Sequence, residues 1–490
     1  MQQEQGNLSL RTTNALKWSL ISHLVEQLLQ LIILVFLARL LDPKDFGLVG
    51  IITIFTNFAF LLSDLGFGAA LIQRKDIGEH HLDAVFSLNI MIGLLLTVLF
   101  VCISPLIAAF YDEPSLKFIT SITALGFVIA SLSNANIALL RREMNFKRIA
   151  IIQIASLAGS GIASILLAFW GCGVWCLVFQ SLIFQSIRTG VTWISSHPKP
   201  HFKINGDARK DLFGYGLNLT GFNVFNYWVR NADNFLVGKI IGPHALGIYS
   251  KAYTSMTLPI LQITDVVSRV MFPALSSIQT DVSKVKMMYL KVIRCIALVT
   301  CPIALGLLAI ARPFVLVVLG DKWVEVIPVL QILCIIGVIQ GVSSSMGLLF
   351  TSLGRTDLML RWGIFSGITY IVAFLIGIKW GILGVSIAYV VNGYLVLWYP
   401  AWTIPGKLVN LSFLDMLKNT LGAIVCSIIM ALGVWLLATA LPPFLPLAFS
   451  LAMQIIFGGV LYITLIHVLQ LKGYQEMRAF LGYSLAEILS

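Results

Sequence analysis

Charge is what this sequence has least of. Only 11% of its 490 residues are Asp, Glu, Lys or Arg, against 58% hydrophobic residues and a mean hydropathy of +0.92. That is too little charge to solvate a globular surface of this size, and it makes the chain a polytopic membrane protein. Cysteine chemistry is missing too. Cys102, Cys172, Cys176, Cys295, Cys301, Cys334 and Cys426 are odd in number, form no CxxC pair and lie mostly in apolar runs, so packing accounts for them better than disulfides or metal. There is no GxxxxGK[ST] loop to cradle nucleotide phosphates, no HExxH or GxSxG, and no paired carboxylates on an aqueous loop. These absences favour a carrier over an enzyme, with no cofactor and no metal. Met1–Thr13 lacks a charged-then-apolar leader with a small-residue cleavage site, so the first span is expected to persist as a helix.

What is abundant is apolar sequence in membrane-length pieces. A bilayer core takes about 20 apolar residues as a helix, and fourteen windows fit: 14–40, 46–72, 83–110, 115–140, 149–170, 173–195, 211–240, 244–276, 288–319, 325–353, 357–378, 381–404, 415–440 and 445–470. Every loop is short, which leaves no room for a soluble catalytic domain.

The windows fall into two related sets. Leu37-Ala38-Arg39-Leu40-Leu41-Asp42-Pro43-Lys44-Asp45-Phe46-Gly47-Leu48 returns 200 positions later as Val237-Gly238-Lys239-Ile240-Ile241-Gly242-Pro243-His244-Ala245-Leu246-Gly247-Ile248. Pro105–Pro114 pairs with Pro313–Lys322, and Trp170-Gly171-Cys172-Gly173-Val174 with Trp380–Val385. Six spans per half in one orientation predict parallel repeats about an axis near the membrane normal. The expected organisation is a first lobe over 1–196, a polar linker over 197–210 broken by Pro198, Pro200 and Gly206, and a second lobe over 211–404. Residues 405–490 add two appended helices and an amphipathic inner-face tail.

Lys and Arg collect on the side that would hold both termini: Arg74, Lys75, Arg141, Arg142, Lys147, Arg148, Lys199, Lys203, Arg209, Lys210, Lys284 and Lys286, among others. Both termini are therefore expected in the cytoplasm. The net charge of +11 is scattered over short loops without a stacking platform, so anionic membrane lipid explains it better than nucleic acid.

Ionisable groups inside spans are costly, at least about 2.5–3.5 kcal/mol at mid-bilayer, and so are candidate functional residues. Asn223, Asn226, Arg230, Asp233 and Asn234 follow i, i+3, i+7, i+10, i+11 on the seventh span, with Tyr227 beside them. Two readings stand: a stripe lining a hydrated cavity with Arg230 as multidentate anion donor, or a structural Arg230–Asp233 pair with amides joining helices. Asp64 and Asp265, offset by 201, with Arg269 one turn on, suit either helix contacts or ion pairs that alternate between states. His23 and Glu26 on the first helix suit a proton-coupling pair or a polar helix contact. Arg294, Arg355 and Arg361 near the inside suit headgroup phosphate or topology alone. The first half has no equivalent of the Asn223–Asn234 stripe, so cargo recognition is expected to lean on the second lobe.

Four stretches carry a family resemblance: Leu40–Leu48, Asp64–Arg74, Arg230–Lys239 and Ser268–Ser276. They resemble the Wzx-type polysaccharide and lipopolysaccharide flippases of the multidrug/oligosaccharidyl-lipid/polysaccharide superfamily, in the colanic-acid and teichuronic-acid exporter-like branch. The resemblance spans about Asn14 to Leu469. It implies an all-α, MATE-like fold of two six-helix lobes plus two helices, and alternating access in the bacterial inner membrane. The implied cargo is a polyprenyl-pyrophosphate-linked oligosaccharide for exopolysaccharide or lipopolysaccharide assembly. A monomer is expected, working beside other polysaccharide-assembly proteins, with energy from a proton or sodium gradient where it is coupled. Two alternatives remain: a cation-coupled multidrug exporter of the same fold, against which the cationic seventh span argues, and a membrane glycan polymerase, whose large outer loop is not found.

Overall fold

The computed structural model describes residues 2–64, 79–196, 201–202, 227–442 and 444–478, without side chains at 2–17, 19–21, 62–64 and 79–81. Those residues are overwhelmingly α-helical, and no strand occurs among them. Hydrocarbon leaves backbone N–H and C=O groups no external partner, so each crossing must satisfy its own ladder as a helix.

Two compact units divide the chain, 1–247 and 248–490. The first contains α1 (Gln2–Leu40), α2 (Pro43–Asp64), α3 (Glu79–Tyr111), α4 (Ser115–Arg142), α5 (Phe146–Phe169), α6 (Trp175–Ser195), α7 (Ala232–Ile240) and the opening turns of α8 (Pro243–Ser277). The second continues α8 and adds α9 (Val282–Ala309), α10 (Ala311–Val318), α11 (Val326–Ser344), α12 (Met346–Ser352), α13 (Thr356–Gly377), α14 (Gly381–Val391), α15 (Trp398–Gly406), α16 (Phe413–Ala440) and α17 (Leu447–Val468). The boundary by compactness thus falls early in α8. The expected linker at 197–210 lies outside the described residues apart from His201 and Phe202.

The duplication is visible in how each unit packs. In the first, Gly93 of α3 lies so close to α4 that a Cβ would stand 2.8 Å from the Ser131 hydroxyl. In the second, Gly341 of α11 meets Thr300 of α9 at 2.5 Å in the same sense. The small residue has changed sides, while the close approach has been kept. Membrane helices gain little from the hydrophobic effect and rely on such approaches for dispersion contact. Buried Tyr462 adds a hydrogen bond, its hydroxyl donating to the Leu298 carbonyl at 2.7 Å and tying α17 to α9.

Among the described residues, 11 helices are long and apolar enough to cross a membrane, where the sequence suggested fourteen. The expected span at 211–240 lies mostly outside the described residues. α6 is helical over the expected span, but Gln180, Gln185, Arg188 and Thr192 dilute its hydropathy. Thr356–Val409 counts as one stretch of 54 residues although it turns back at Gly381 (φ 68°), and Gly377 and Gly384 each bring a would-be Cβ within 2.5 Å of the other's carbonyl oxygen. At 1.5 Å per residue, 54 residues would run far beyond a core of roughly 30 Å, so the turn makes a hairpin.

Beyond α17 the chain forms a short helix over 472–478. It docks through Glu476, whose carboxylate takes both Nε and Nη2 of Arg294, while Nη1 of Arg294 donates to Asn419 at 2.6 Å. Arg294, a candidate for lipid headgroups by sequence, is therefore engaged within the protein. The rest of the expected amphipathic tail lies outside the described residues.

Candidate functional site

The two copies of the 200-residue echo meet. A Cβ on Gly47 would stand 1.6 Å from the Pro243 carbonyl oxygen, and one on Gly247 1.9 Å from that of Pro43. Each glycine abuts the proline that opens the other's helix, so the first turns of α2 and α8 cross in reciprocal backbone contact. Proline suits the first helical position because it has no N–H to leave unsatisfied, and glycine one turn later removes the side chain that would hold the two turns apart.

The α3–α4 corner braces this crossing. Asp112 adopts left-handed backbone (φ 56°) and accepts from Lys239 at 2.9 Å, while neighbouring Glu113 pairs with Lys44 at 2.9 Å. The Lys239 ammonium also sits 5.0 Å from the Phe110 ring centroid. One corner thus binds a lysine from each copy of the echo, Lys44 from the first and Lys239 from the second. Beneath it Phe55, Phe58, Tyr111, Tyr227, Trp228 and Phe235 form an edge-to-face and tilted aromatic cluster with centroids 5.3–6.4 Å apart.

The polar stripe of the seventh span is only partly described. Asn223 and Asn226 lie outside the described residues. Tyr227 donates its hydroxyl to the Ile54 carbonyl at 2.5 Å, fastening the segment to α2. Arg230 is exposed and makes no ion pair with Asp233. The helix is interrupted between them at Asn231 (φ −111°, ψ 7°), whose side chain donates back to the Tyr227 carbonyl at 2.8 Å. Asp233 is only 5% exposed and accepts from the Asn234 backbone at 2.7 Å, and the buried Asn234 Oδ1 has no hydrogen-bond donor. The continuous helix read from sequence is therefore broken at Asn231, because an amide side chain competes for backbone groups. Arg230 and Asp233 consequently occupy different environments.

The remaining candidates do not converge on one another. Asp64 ends α2, and its side chain is outside the described residues. Asp265 and Arg269, one turn apart on α8, are both exposed and form no ion pair with each other. His23 is exposed and Glu26 half-buried on α1. Sequence reasoning missed the Asp112–Lys239 and Glu113–Lys44 pairs. Their signal was the acidic Asp-Glu doublet at the α3–α4 corner set against the conserved spacing of the two basic echoes.

Residues 36–328 match the family described as polysaccharide biosynthesis protein. The chain is 32% identical to the teichuronic acid biosynthesis protein TuaB of Bacillus subtilis over 71% of its own length and 72% of that protein's. It is 28% identical to the lipopolysaccharide biosynthesis protein WzxC of Escherichia coli, over 85% and 83% of the two chains. Among solved structures it resembles the lipid II flippase MurJ in an inward closed conformation, with a TM-score of 0.75 and 16% identity over 94% of this chain and 99% of that one. An inward-facing multidrug resistance MATE transporter matches with a TM-score of 0.62 and 16% identity over 79% and 96%. These two likenesses establish the fold: a MATE-like, multi-pass helical membrane protein.

Proposed function

Because this chain belongs to the polysaccharide biosynthesis protein family, we propose that it is a flippase that moves polyprenyl-pyrophosphate-linked oligosaccharide across the bacterial inner membrane for exopolysaccharide or lipopolysaccharide assembly. The family match carries this reading, together with relatives named for teichuronic acid and lipopolysaccharide biosynthesis. In this reading both termini are cytoplasmic, and the protein works by moving cargo rather than by bond chemistry.

The crossing of Gly47 and Gly247 supports a mechanism of alternating access. In this reading the echo corners lie on the outward side, and their backbone contact, with the Asp112–Lys239 pair beside it, would close that side. Opening outward would separate the two copies and break Asp112–Lys239. Glu113–Lys44, which joins the α3–α4 corner to the first copy alone, would survive. Arg230, Asn223, Asn226, Asp233 and Asn234 would meet the phosphates and sugar hydroxyls of the cargo, since a guanidinium matches paired anionic oxygens and amides match a polyol. Asp64, Asp265 and Arg269 would form contacts in one state and lose them in the other, and His23 with Glu26 would take a coupling proton.

The test uses the intact protein in vesicles, following leaflet transfer of a fluorescent polyprenyl-pyrophosphate oligosaccharide under an imposed proton or sodium gradient. Transfer supports the flippase, and the gradient that accelerates it identifies the coupling ion. Expulsion of cationic dyes with no movement of glycolipid would replace this reading with a multidrug exporter.

A further inference from the structure

The chain that follows the turn at Gly381 does not run on as a regular α-helix. Between α14 and α15, Asn392–Leu397 form a π-helical turn, in which an amide bonds to the carbonyl five residues back instead of four. Such a turn holds one residue more than the α-helix around it. It is rare, and frequent at functional sites. No proline lies within it to force the irregularity. Two neighbouring helices grip it. Asn392, 6% exposed, donates its amide to Thr369 of α13 at 3.4 Å, and the Tyr394 hydroxyl donates to the Ile335 carbonyl of α11 at 2.8 Å. Gly393 lies so close to α11 that a Cβ would stand 2.3 Å from Ile336 Cδ1.

Beyond the turn, the Trp402 indole donates to Ser343 Oγ at 3.1 Å. This bond and that of Tyr394 to Ile335 both join residues 59 positions apart, so α11 and α15 run parallel in constant register. The interval between the two bonds is roughly 12 Å at 1.5 Å per residue. It holds one orphan from each helix. Gln340 lies on α11 one turn from both Ile336 and Ser343, on the face that they share, and its Oε1 is buried without a donor. Trp398 lies one turn from both Tyr394 and Trp402, and its Nε1 is buried without an acceptor. Its ring is held edge-on by Tyr394, Trp402 and Phe413 at centroid distances of 5.4–5.6 Å.

Each orphan keeps the cost of leaving water without regaining a partner, and the two are a complementary donor and acceptor. A shared water is a poor remedy, because a buried water makes about three hydrogen bonds, and no third unpaired side-chain atom occupies the interval among the described residues. An aromatic ring under the indole N–H would leave Gln340 unanswered. A change in the turn answers both. Relaxing the i→i+5 ladder to i→i+4 rotates everything beyond Leu397 about the helix axis relative to everything before Asn392. That carries Trp402 away from Ser343 and lets Trp398 reach Gln340. We infer that Asn392–Leu397 is a rotary hinge with two states: the present one, with Trp402 on Ser343, and a second in which Trp398 donates to Gln340. Packed helices with two discrete arrangements amplify small shifts into large movements. That the rotation serves transport rests on the flippase reading, whereas the two-state contact stands on the geometry alone.

The test is fluorine NMR relaxation dispersion of the full-length protein labelled with 5-fluorotryptophan, alongside its melting temperature and leaflet transfer of the fluorescent oligosaccharide lipid. Of the 11 tryptophan signals, that of Trp398 is the one missing from Trp398→Phe. In the wild type it is expected to show microsecond-to-millisecond exchange. Gln340→Leu removes the acceptor of the second state. It should quench that exchange, slow transfer about tenfold, the scale of one hydrogen bond, and melt no lower than wild type. Gln340→Leu and Trp398→Phe should be additive in melting temperature, since the two groups are unbonded in the present state, and non-additive in transfer rate. Deleting Leu395, which is 80% exposed, removes the extra residue and leaves Gly393 and Trp402 on their present faces. That variant should melt as high as wild type and lose both the exchange and the transfer. A wild-type Trp398 signal without exchange, exchange undiminished by Gln340→Leu, or coupling of the two substitutions in melting temperature overturns the hinge. Quenched exchange with transfer unchanged overturns its role in transport. If the wild type exchanges but moves no glycolipid, the flippase reading falls and the hinge stands.

Discussion

Gly47 and Gly247 each occupy the space where the other's helix begins, so that neither position has room for a methyl group. The contact joins the two copies of one duplicated corner, and its reciprocity has the self-complementary form of a two-fold interface.

Gly47→Ala and Gly247→Ala are therefore expected to destabilise the protein by about 1–3 kcal/mol, the usual cost of overpacking. The neighbouring Gly50→Ala, whose Cβ would meet Leu246 at an ordinary 3.4 Å, is expected to be neutral or stabilising. Melting temperatures of the purified protein check both. Equal effects at Gly47 and Gly50 would mean that the crossing yields freely.

Asp112→Asn keeps a residue that tolerates left-handed backbone and removes only the charge. Because Asp112 is largely exposed, the loss of stability should stay within about 1 kcal/mol. Thiol labelling of a cysteine placed at Leu246, which is buried at the crossing, should nonetheless rise if the two copies separate more often. Glu113→Gln, which breaks only the pair with Lys44, should leave that labelling unchanged.

Tyr227→Phe keeps the ring against Phe58 and deletes the hydrogen bond to the Ile54 carbonyl. A loss of about 0.5–1.5 kcal/mol is expected. Stability that does not change, together with weaker cargo binding, would mean that the hydroxyl serves the cargo instead.

Glu476→Ala leaves the Arg294 guanidinium with Asn419 as its remaining partner among the described residues, and should cost about 1–3 kcal/mol. A double-mutant cycle with Arg294→Ala should show the two losses to be strongly non-additive. Additive losses would mean that the pair contributes nothing beyond its separate contacts.

Much of this architecture was legible in sequence, because membrane helices must announce themselves by length and hydropathy and the duplication preserved Pro43/Pro243 and Gly47/Gly247 at fixed spacing. Contact between the copies was not legible: periodicity places residues on a helix face but does not say which helix that face meets. The break at Asn231 was hidden because an asparagine in an apolar run reads equally as a helix residue or a cap. Arg294 looked like a lipid contact, since its partner Glu476 lies 182 residues away.

The central claim is tested most directly by cross-linking Asp112→Cys to Lys239→Cys with a short bifunctional maleimide while following leaflet transfer of fluorescent polyprenyl-pyrophosphate oligosaccharide. The account predicts transfer by the uncross-linked double variant and arrest on cross-linking, with transfer retained when Glu113→Cys and Lys44→Cys are joined instead. Undiminished transfer with Asp112→Cys and Lys239→Cys joined would contradict it.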